Sequence, residues 1–406
     1  MKIEVDTVKG FADYLPPVSL KRNKVQKIIE SHFQRYGFVP IETPVIEFDE
    51  LMRSELPGEE DEAVSDRFRL RDRAGRNLGL RYEFTFQLAR IIKQNTNIKL
   101  PFKRYQIGPV FRDEPTGTGR YRQFTQCDID CVGDSSIKSD AEILACVMDI
   151  LKELNISAEI LVNNRKLLQA IIESVEIKEV KQVMRELDKM TKIGEDQVKV
   201  NLKRYADSNQ ILTLFKLLEK NLSFFIENSF DGANELADLK KECAHYGLDI
   251  KINFNMIRGL SYYTGNIFEV SAPGKFTIAA GGRYDKSVGK YLGRDISAVG
   301  ISFGLDRVAD LANISTPALP RVLLLSIEQN AKSIKLAQKL RKAEISCTLS
   351  FEKVGKALEY ANYYSIPYVV FVGENEILNK KFKLRDMKTG KEEGLSEKAL
   401  IKILKK

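Results

Sequence analysis

Apolar positions recur at helical spacing through "VSLKRNKVQKIIESHFQRY" (18–36), and the pattern stops at Gly37. "FVPIETPVIEF" then reads as extended, because Pro40 and Pro44 exclude helix. From 80 to 131, extended runs surround a helix predicted from about Gln87 to Gln94. Strands over 102–113 and 120–132 flank "PTGTG", whose glycines and proline suit a hairpin turn. A helix over 140–153 and a strand in "ISAEILVNN" follow, and then 164–246 reads almost entirely as helix. Strands return at 249–257 and 262–271, so the helical block has the form of an insertion between strands. "AAGGRYDKSVGKYLG" (279–293) is expected to be a loop, and a helix should run from about Gly304 to Leu311. "NISTPALP" (313–320) is a linker by composition. Beyond it the pattern is strand (321–326), helix (329–343), strand (345–349), helix (351–364), strand (367–372), which predicts a small, mostly parallel sheet. The expected domains are therefore 1–318, with a helical insertion at about 164–246, and 319–406.

A chain of 406 residues, 43% hydrophobic and 30% charged, fits a soluble protein of two or three domains. No apolar run approaches the roughly 20 residues that cross a bilayer. "MKIEVDTVKGFADYLPP" has no apolar stretch of the signal-peptide kind, so a cytoplasmic location is expected. The five cysteines are odd in number and form no CxxC pair, which fits buried thiols in a reducing compartment. His32 and His245 are isolated, so neither a histidine metal site nor a serine–histidine triad is supported. The formal charge of +8 is uneven. Residues 321–406 hold 18 Lys and Arg against 10 Asp and Glu, while the preceding 320 residues hold 46 of each. A basic module on a neutral body fits a polyanionic partner, nucleic acid first, and equally fits a solvated lysine-rich surface.

"FRDEPTGTGRYRQFTQCDID" (111–130) carries the densest chemistry. Equal parity on a strand means a shared face. Arg120, Arg122, Phe124, Gln126, Asp128 and Asp130 therefore face one way, with Arg112 and Glu114 able to join them from the preceding strand. Tyr121, Thr125, Cys127, Ile129 and Cys131 form the packing side. One reading is a ladder of exposed salt bridges, each worth about 0.2–1 kcal/mol. The other is a nucleotide pocket, in which arginine grips phosphate, a ring stacks on a base and a carboxylate meets an exocyclic amine. "AVGISFGLDR" (298–307) adds a second anion candidate, with Arg307 on the first turns of a helix opened by Gly304.

Together these segments resemble the class II aminoacyl-tRNA synthetases. A helix and strand ending in "PIETP", then "FRDE", a loop and "RYRQF", then "GISFGLDR" match the three family motifs in order. "IRGLSYYTGNIFEV" (257–270) and "AAGGRYD" (279–285) narrow the resemblance to histidyl-tRNA synthetases, with "VKGFADYLPP", "LRYEFTFQLAR" and "VGENEILNKKFKLRDMKTGKEEGLS" in support. The resemblance implies an α+β catalytic domain on an antiparallel sheet, a helical insertion and a small α/β anticodon-binding domain. It implies a histidine–tRNA ligase that uses ATP with Mg2+, acts on L-histidine and tRNA(His), and is a homodimer built on the first motif. By similarity Arg112 grips the α-phosphate and the carboxylate, Arg258 approaches from the opposite side, and Arg307 binds the γ-phosphate. Phe124 stacks on adenine and Glu114 meets its amine. Asp130 accepts from the imidazole, a tyrosine of the Tyr262–Tyr263 pair donates to it, and Tyr284 lies nearby. Glu83, Thr85 and Gln126 receive the α-ammonium group. The alternative is a regulatory paralogue that partners ATP phosphoribosyltransferase; such paralogues typically lack the arginine stretch and the basic C-terminal module. Ser261 and Ala280 depart from the family pattern. "PTGTG" lacks the basic or amide side chains with which bacterial members usually read the extra guanosine of histidine tRNA; "QCDID" has the form of the archaeal and eukaryotic branch, although the short turn does not.

Overall fold

The computed structural model describes residues 5–52, 66–117, 119–257, 262–272, 277–316 and 318–405. The chain divides into two units, Met1–Ile314 and Ser315–Lys406. In the first, the strands are β1 (Val39–Pro40), β2 (Ile46–Phe48), β3 (Arg69–Arg71), β4 (Asn77–Leu80), β5 (Phe102–Phe111), β6 (Gln123–Val132), β7 (Glu159–Asn164), β8 (Ile250–Ile252), β9 (Asn266–Ser271), β10 (Thr277–Arg283) and β11 (Ala298–Gly304). Eight of them form one sheet in the order β1-β5-β6-β11-β10-β9-β7-β8, and β2-β4-β3 form a small second sheet. The large sheet is antiparallel except at its margins, where β1 pairs with β5 and β7 with β8 in parallel. This is the expected antiparallel catalytic architecture.

β6 shows why the sheet stands where it does. Cys127, Ile129 and Cys131 are buried in the main core with Phe33 of the helix Val18–Arg35, Phe303 of β11 and the helix Ile137–Glu153. Its other face holds Gln126, Asp128 and Asp130, also buried, between Phe124 and Val132, the latter in a second apolar cluster. The middle of the strand thus has one apolar and one polar face, both out of water.

The helical block occupies Arg165 to His245, between β7 and β8, as expected. The stretch "QILTLFKLLEKNL" is broken: one helix ends at Leu218 and another begins at Leu222, where the Asn221 side chain accepts from Phe224 N at 3.0 Å. That cap restarts the helix. Leu167, Val183, Leu187, Leu214, Phe225 and Leu239 of this block join the same core as the sheet.

Three expectations give way. "AAGGR" belongs to β10 rather than to a loop. Its glycines serve close strand approach: a Cβ on Gly281 would run into the Gly300 carbonyl of β11 and lie 2.6 Å from Ile301 Cα. The strand predicted over 249–257 ends at Ile252, and that over 262–271 begins at Asn266. The hairpin strands end at Phe111 and begin at Gln123, so Arg120 and Arg122 fall outside the alternation and Tyr121 is exposed. At that point the N-terminal segment takes over, with Arg122 N and Gln123 N both donating to Gly10 O at 2.8 and 3.3 Å.

The second unit holds β12 (Val322–Ser326), β13 (Cys347–Ser350), β14 (Tyr368–Val372), β15 (Phe382–Asp386) and β16 (Glu392–Leu395), in the order β13-β12-β14-β15-β16. The first three are parallel, as predicted, but β15 and β16 add an antiparallel pair. The sequence reading missed that pair because its exposed charged residues hide the strand signal.

Gly281→Ala should lower stability by roughly 1–3 kcal/mol through overpacking between β10 and β11. A reduced denaturant midpoint is the expected measurement, and an unchanged one would refute the close-approach account.

Candidate active site

Arg112 leaves β5 just past its end, and its guanidinium lies 4.3 Å from the Tyr82 ring centroid and 5.1 Å from that of Phe124. Tyr82 Oη donates to Glu114 Oε1 at 3.0 Å. Arg112, Glu114 and Phe124 therefore come together, joined by Tyr82, which the sequence reading had not singled out. The buried Nε of Arg112 has no hydrogen-bond partner. A cation held between two aromatic faces, with a donor left over, is poised for an anion.

Asp130 of β6 lies deeper. The Tyr284 hydroxyl donates to its Oδ1, and Arg104 Nη2 of β5 stands 2.7 Å from its Oδ2. Neither Arg104 Nη2 nor Asp130 Oδ2 has an aligned hydrogen bond, so the contact is an ion pair held by charge. An entering ring would share Asp130 with these two partners. Tyr262 contacts Tyr263 and Tyr284 ring to ring, at 4.8 and 6.0 Å between centroids. Tyr262 Oη donates to Glu83 Oε2 at 3.3 Å. Glu83, beside Thr85 at the start of the helix Thr85–Gln94, is buried, and its Oε1 has no partner. Gln126 Nε2 donates to Ser302 Oγ at 2.9 Å. The structure thus gathers Glu83, Thr85, Gln126, Asp130, Tyr262, Tyr263 and Tyr284 about the polar side of the sheet. Arg258 lies outside the described residues, as does Ser261.

Arg307 follows β11, whose Gly304 pairs with Gln126 of β6, and its Nη1 donates to Thr277 O of β10 at 2.9 Å. The end of β5, the start of β6 and the end of β11 adjoin, so Arg112 and Arg307 leave the sheet at the same end. Asp306 beside it is buried; it accepts from Tyr14 Oη at 2.7 Å and Thr125 N at 3.2 Å and pairs with Arg22. Nothing in the local pattern of "GLDR" marks that role. Arg81 is similarly structural, donating to Pro109 O at 2.7 Å and Thr43 O at 2.9 Å.

The electrostatics follow from burial. Desolvation pushes Glu83 up to about 7, against the pull of Arg112. Desolvation likewise pushes Asp128 up to about 8, against Arg104, with Asp130 and Glu83 adding repulsion. Asp130 is also raised, by burial first, with Arg104 and Tyr284 opposing. Three carboxyls so crowded, raised by burial despite Arg104 and Arg112, favour the arrival of positive charge.

Residues 10–308 match the family model for histidyl-tRNA synthetase, and residues 321–406 match the anticodon binding domain model. The chain is 38% identical over 416 residues to histidine–tRNA ligase 1 of Bacillus cereus, covering 96% of this chain and 95% of that protein. It is 33% identical to the histidine–tRNA ligase of Clostridium tetani, covering 99% and 98% of the two chains. Its fold matches the crystal structure of histidyl-tRNA synthetase from Nostoc sp. PCC 7120 with a TM-score of 0.87 at 29% identity, over 100% of this chain and 99% of that one.

A carboxyl whose folded-state value is about 8 and whose ordinary value is 3.8 keeps its proton in the folded protein over a range where the unfolded chain has lost it. Its contribution to stability therefore falls as pH rises from about 4 to about 8. Asp128→Asn removes that dependence. The ligand-free variant should lose less melting temperature than the wild type between pH 6 and 8, and parallel curves would contradict the burial argument.

Proposed function

The chain belongs to the histidyl-tRNA synthetase family, and from this premise we propose how it works as an aminoacyl-tRNA ligase. L-Histidine reacts with ATP to give histidyl-adenylate and pyrophosphate, and the acyl group then passes to a ribose hydroxyl at the 3′ end of tRNA(His), with AMP and the hydroxyl proton released. The attacking group in the first step is the substrate's carboxylate, already ionised at neutral pH, so no general base is required. A carboxylate oxygen bonds to the α-phosphorus as the bond to pyrophosphate breaks. The catalytic demand is to hold two anions in line and to stabilise the charge that builds on the phosphoryl oxygens.

Arg112 would hold the α-phosphate and the carboxylate, with Arg258 approaching from the other side and Arg307 on the γ-phosphate. Phe124 would stack on adenine while Glu114 meets its amine. The observation that carries this reading is Arg112 itself, between the Tyr82 and Phe124 rings with a buried, unpartnered Nε. Mg2+ would accompany ATP and supply Lewis-acid stabilisation of the charge building on the phosphate, without a dedicated cage of protein ligands. Asp130, with Tyr262, Tyr263 and Tyr284, would distinguish imidazole from isosteres by offering groups that only a donor–acceptor ring satisfies. Glu83, Thr85 and Gln126 would take the α-ammonium group.

The basic second unit would bind the anticodon region through salt-sensitive phosphate contacts. Val39, Ile46 and Phe48, about half exposed around the first motif, support a symmetric homodimer there. A cytoplasmic location fits this substrate set, and no helix among the described residues is long and apolar enough to cross a membrane. The regulatory paralogue is the weaker reading, because residues 321–406 match the anticodon binding domain model and Arg112 keeps its aromatic clamp.

Arg258→Ala should reduce histidine-dependent ATP–pyrophosphate exchange by at least about 100-fold with little loss of folding. Exchange near the wild-type rate would remove Arg258 from the mechanism. Removing 321–406 should spare exchange but weaken tRNA charging at least about tenfold, with full charging by the truncated protein as the contrary result.

A further inference from the structure

We infer that Asp128, oriented by Ser302, is a counter-ion for the α-ammonium group of the substrate amino acid. The inference rests on the histidine-ligase reading and adds two residues to it. Asp128 lies between Gln126 and Asp130 on the polar face of β6, opposite Ser302 of β11 and Gln106 of β5. Gln126 Nε2 donates to Ser302 Oγ at 2.9 Å, and Ser302 Oγ in turn donates to Asp128 Oδ1. On the other side Gln106 Nε2 donates to Thr43 Oγ1 at 2.9 Å. The Ser302 hydroxyl and one N–H of each glutamine amide are thereby engaged.

Acceptors are left over here, although Arg104 also keeps unaligned donors beside Asp130. Gln126 Oε1, Gln106 Oε1 and Glu83 Oε1 have no hydrogen-bond partner, on side chains that are 8%, 3% and 6% exposed. Buried acceptors without donors are costly, and a cluster of them is rare in a native protein. The charges point the same way. Burial outweighs the pull of Arg104 on Asp128 and of Arg112 on Glu83, so both carboxyls are raised and call for further positive charge. An ammonium group supplies three N–H donors and one positive charge, which is the missing complement on both counts. Ser302 is a positioning residue: it holds the Asp128 carboxyl, which keeps its proton in the ligand-free protein and would ionise beside an ammonium group, and it anchors the Gln126 amide.

The test compares L-histidine with 3-(imidazol-4-yl)propanoate, which keeps the ring and the carboxylate but lacks the amine. Calorimetric titration of the full chain should show that the wild type prefers histidine. Asp128→Asn should lose histidine affinity by roughly 10- to 100-fold, the range of a hydrogen bond to a charged group. Its affinity for the deamino compound should change little, so the preference collapses. Ser302→Ala should shift the preference the same way by a smaller factor, and it serves as the second variant should Asp128→Asn fold poorly. A preference retained in both variants, or an equal loss for both ligands, overturns the inference. If the wild type itself fails to bind histidine and to exchange pyrophosphate with it, the parent reading fails instead.

Discussion

The ion pair between Arg104 and Asp130, 2.7 Å apart with Arg104 fully buried, sets the terms for the rest of the catalytic unit. Taking both charges out of water costs more than a simple contact returns, so such a pair is weak support for a fold. Here its surroundings make matters harder, because Asp128 and Glu83 share the same dry region and repel it. The compensation lies on the opposite side of the same strand. Cys127, Ile129 and Cys131 pack into the main core with Phe33 and Phe303, and each fully buried apolar side chain of this size contributes about 1.5–3 kcal/mol. The polar face is thus held out of water by the apolar one, and its carboxyls stay crowded and raised by burial.

That division explains what was legible in the sequence. Alternation along 123–132 is local, so Phe124, Gln126 and Asp130 could be assigned one face from spacing alone. Their partners could not. Asp130 meets Arg104, and Asp128 meets Ser302, only through the registers of β6 with β5 and β11. Tyr82 and Ser302 have no period that marks them, because their roles are set by residues far away in the chain. The misreading of "AAGGR" has a related cause. Glycines signal a loop when read locally, whereas Gly281 and Gly300 are there so that strands can approach and Asp130 can lie over Gly300. The parity argument failed at Arg120 and Arg122 because the N-terminal segment, invisible to any local window, ends the strand.

The helical block shows the opposite case. Its helices were readable one by one, yet their integration was not. Leu167, Leu187, Phe225 and Leu239 share one core with the sheet, so the block is a structural part of the first unit. Asn164 ties it further: its Nδ2 donates to Glu235 Oε2 at 2.7 Å and to Asn266 Oδ1 at 2.9 Å. Asn266 then donates to Asp140, which pairs with Arg283 at 2.6 Å, next to Tyr284. A polar network of this kind is satisfied only in one arrangement of its helices and strands.

Asp306 applies the same logic to the phosphate side. Tyr14 and Arg22 come from the start of the chain, Thr125 from the hairpin, and Asp306 itself from the helix that carries Arg307. Arg22 also stacks 3.7 Å from the centre of the Tyr14 ring. A buried carboxylate on one segment that accepts from two others fixes all three at one point, since losing any donor leaves the charge less compensated. Phe124 is the residue before Thr125 and Arg307 is the residue after Asp306. The ring expected to hold the base and the cation expected to hold the far phosphate are therefore each one residue from a common joint. Their separation is set by the backbone, so the length of a bound nucleotide can be matched without either side chain having to search for it.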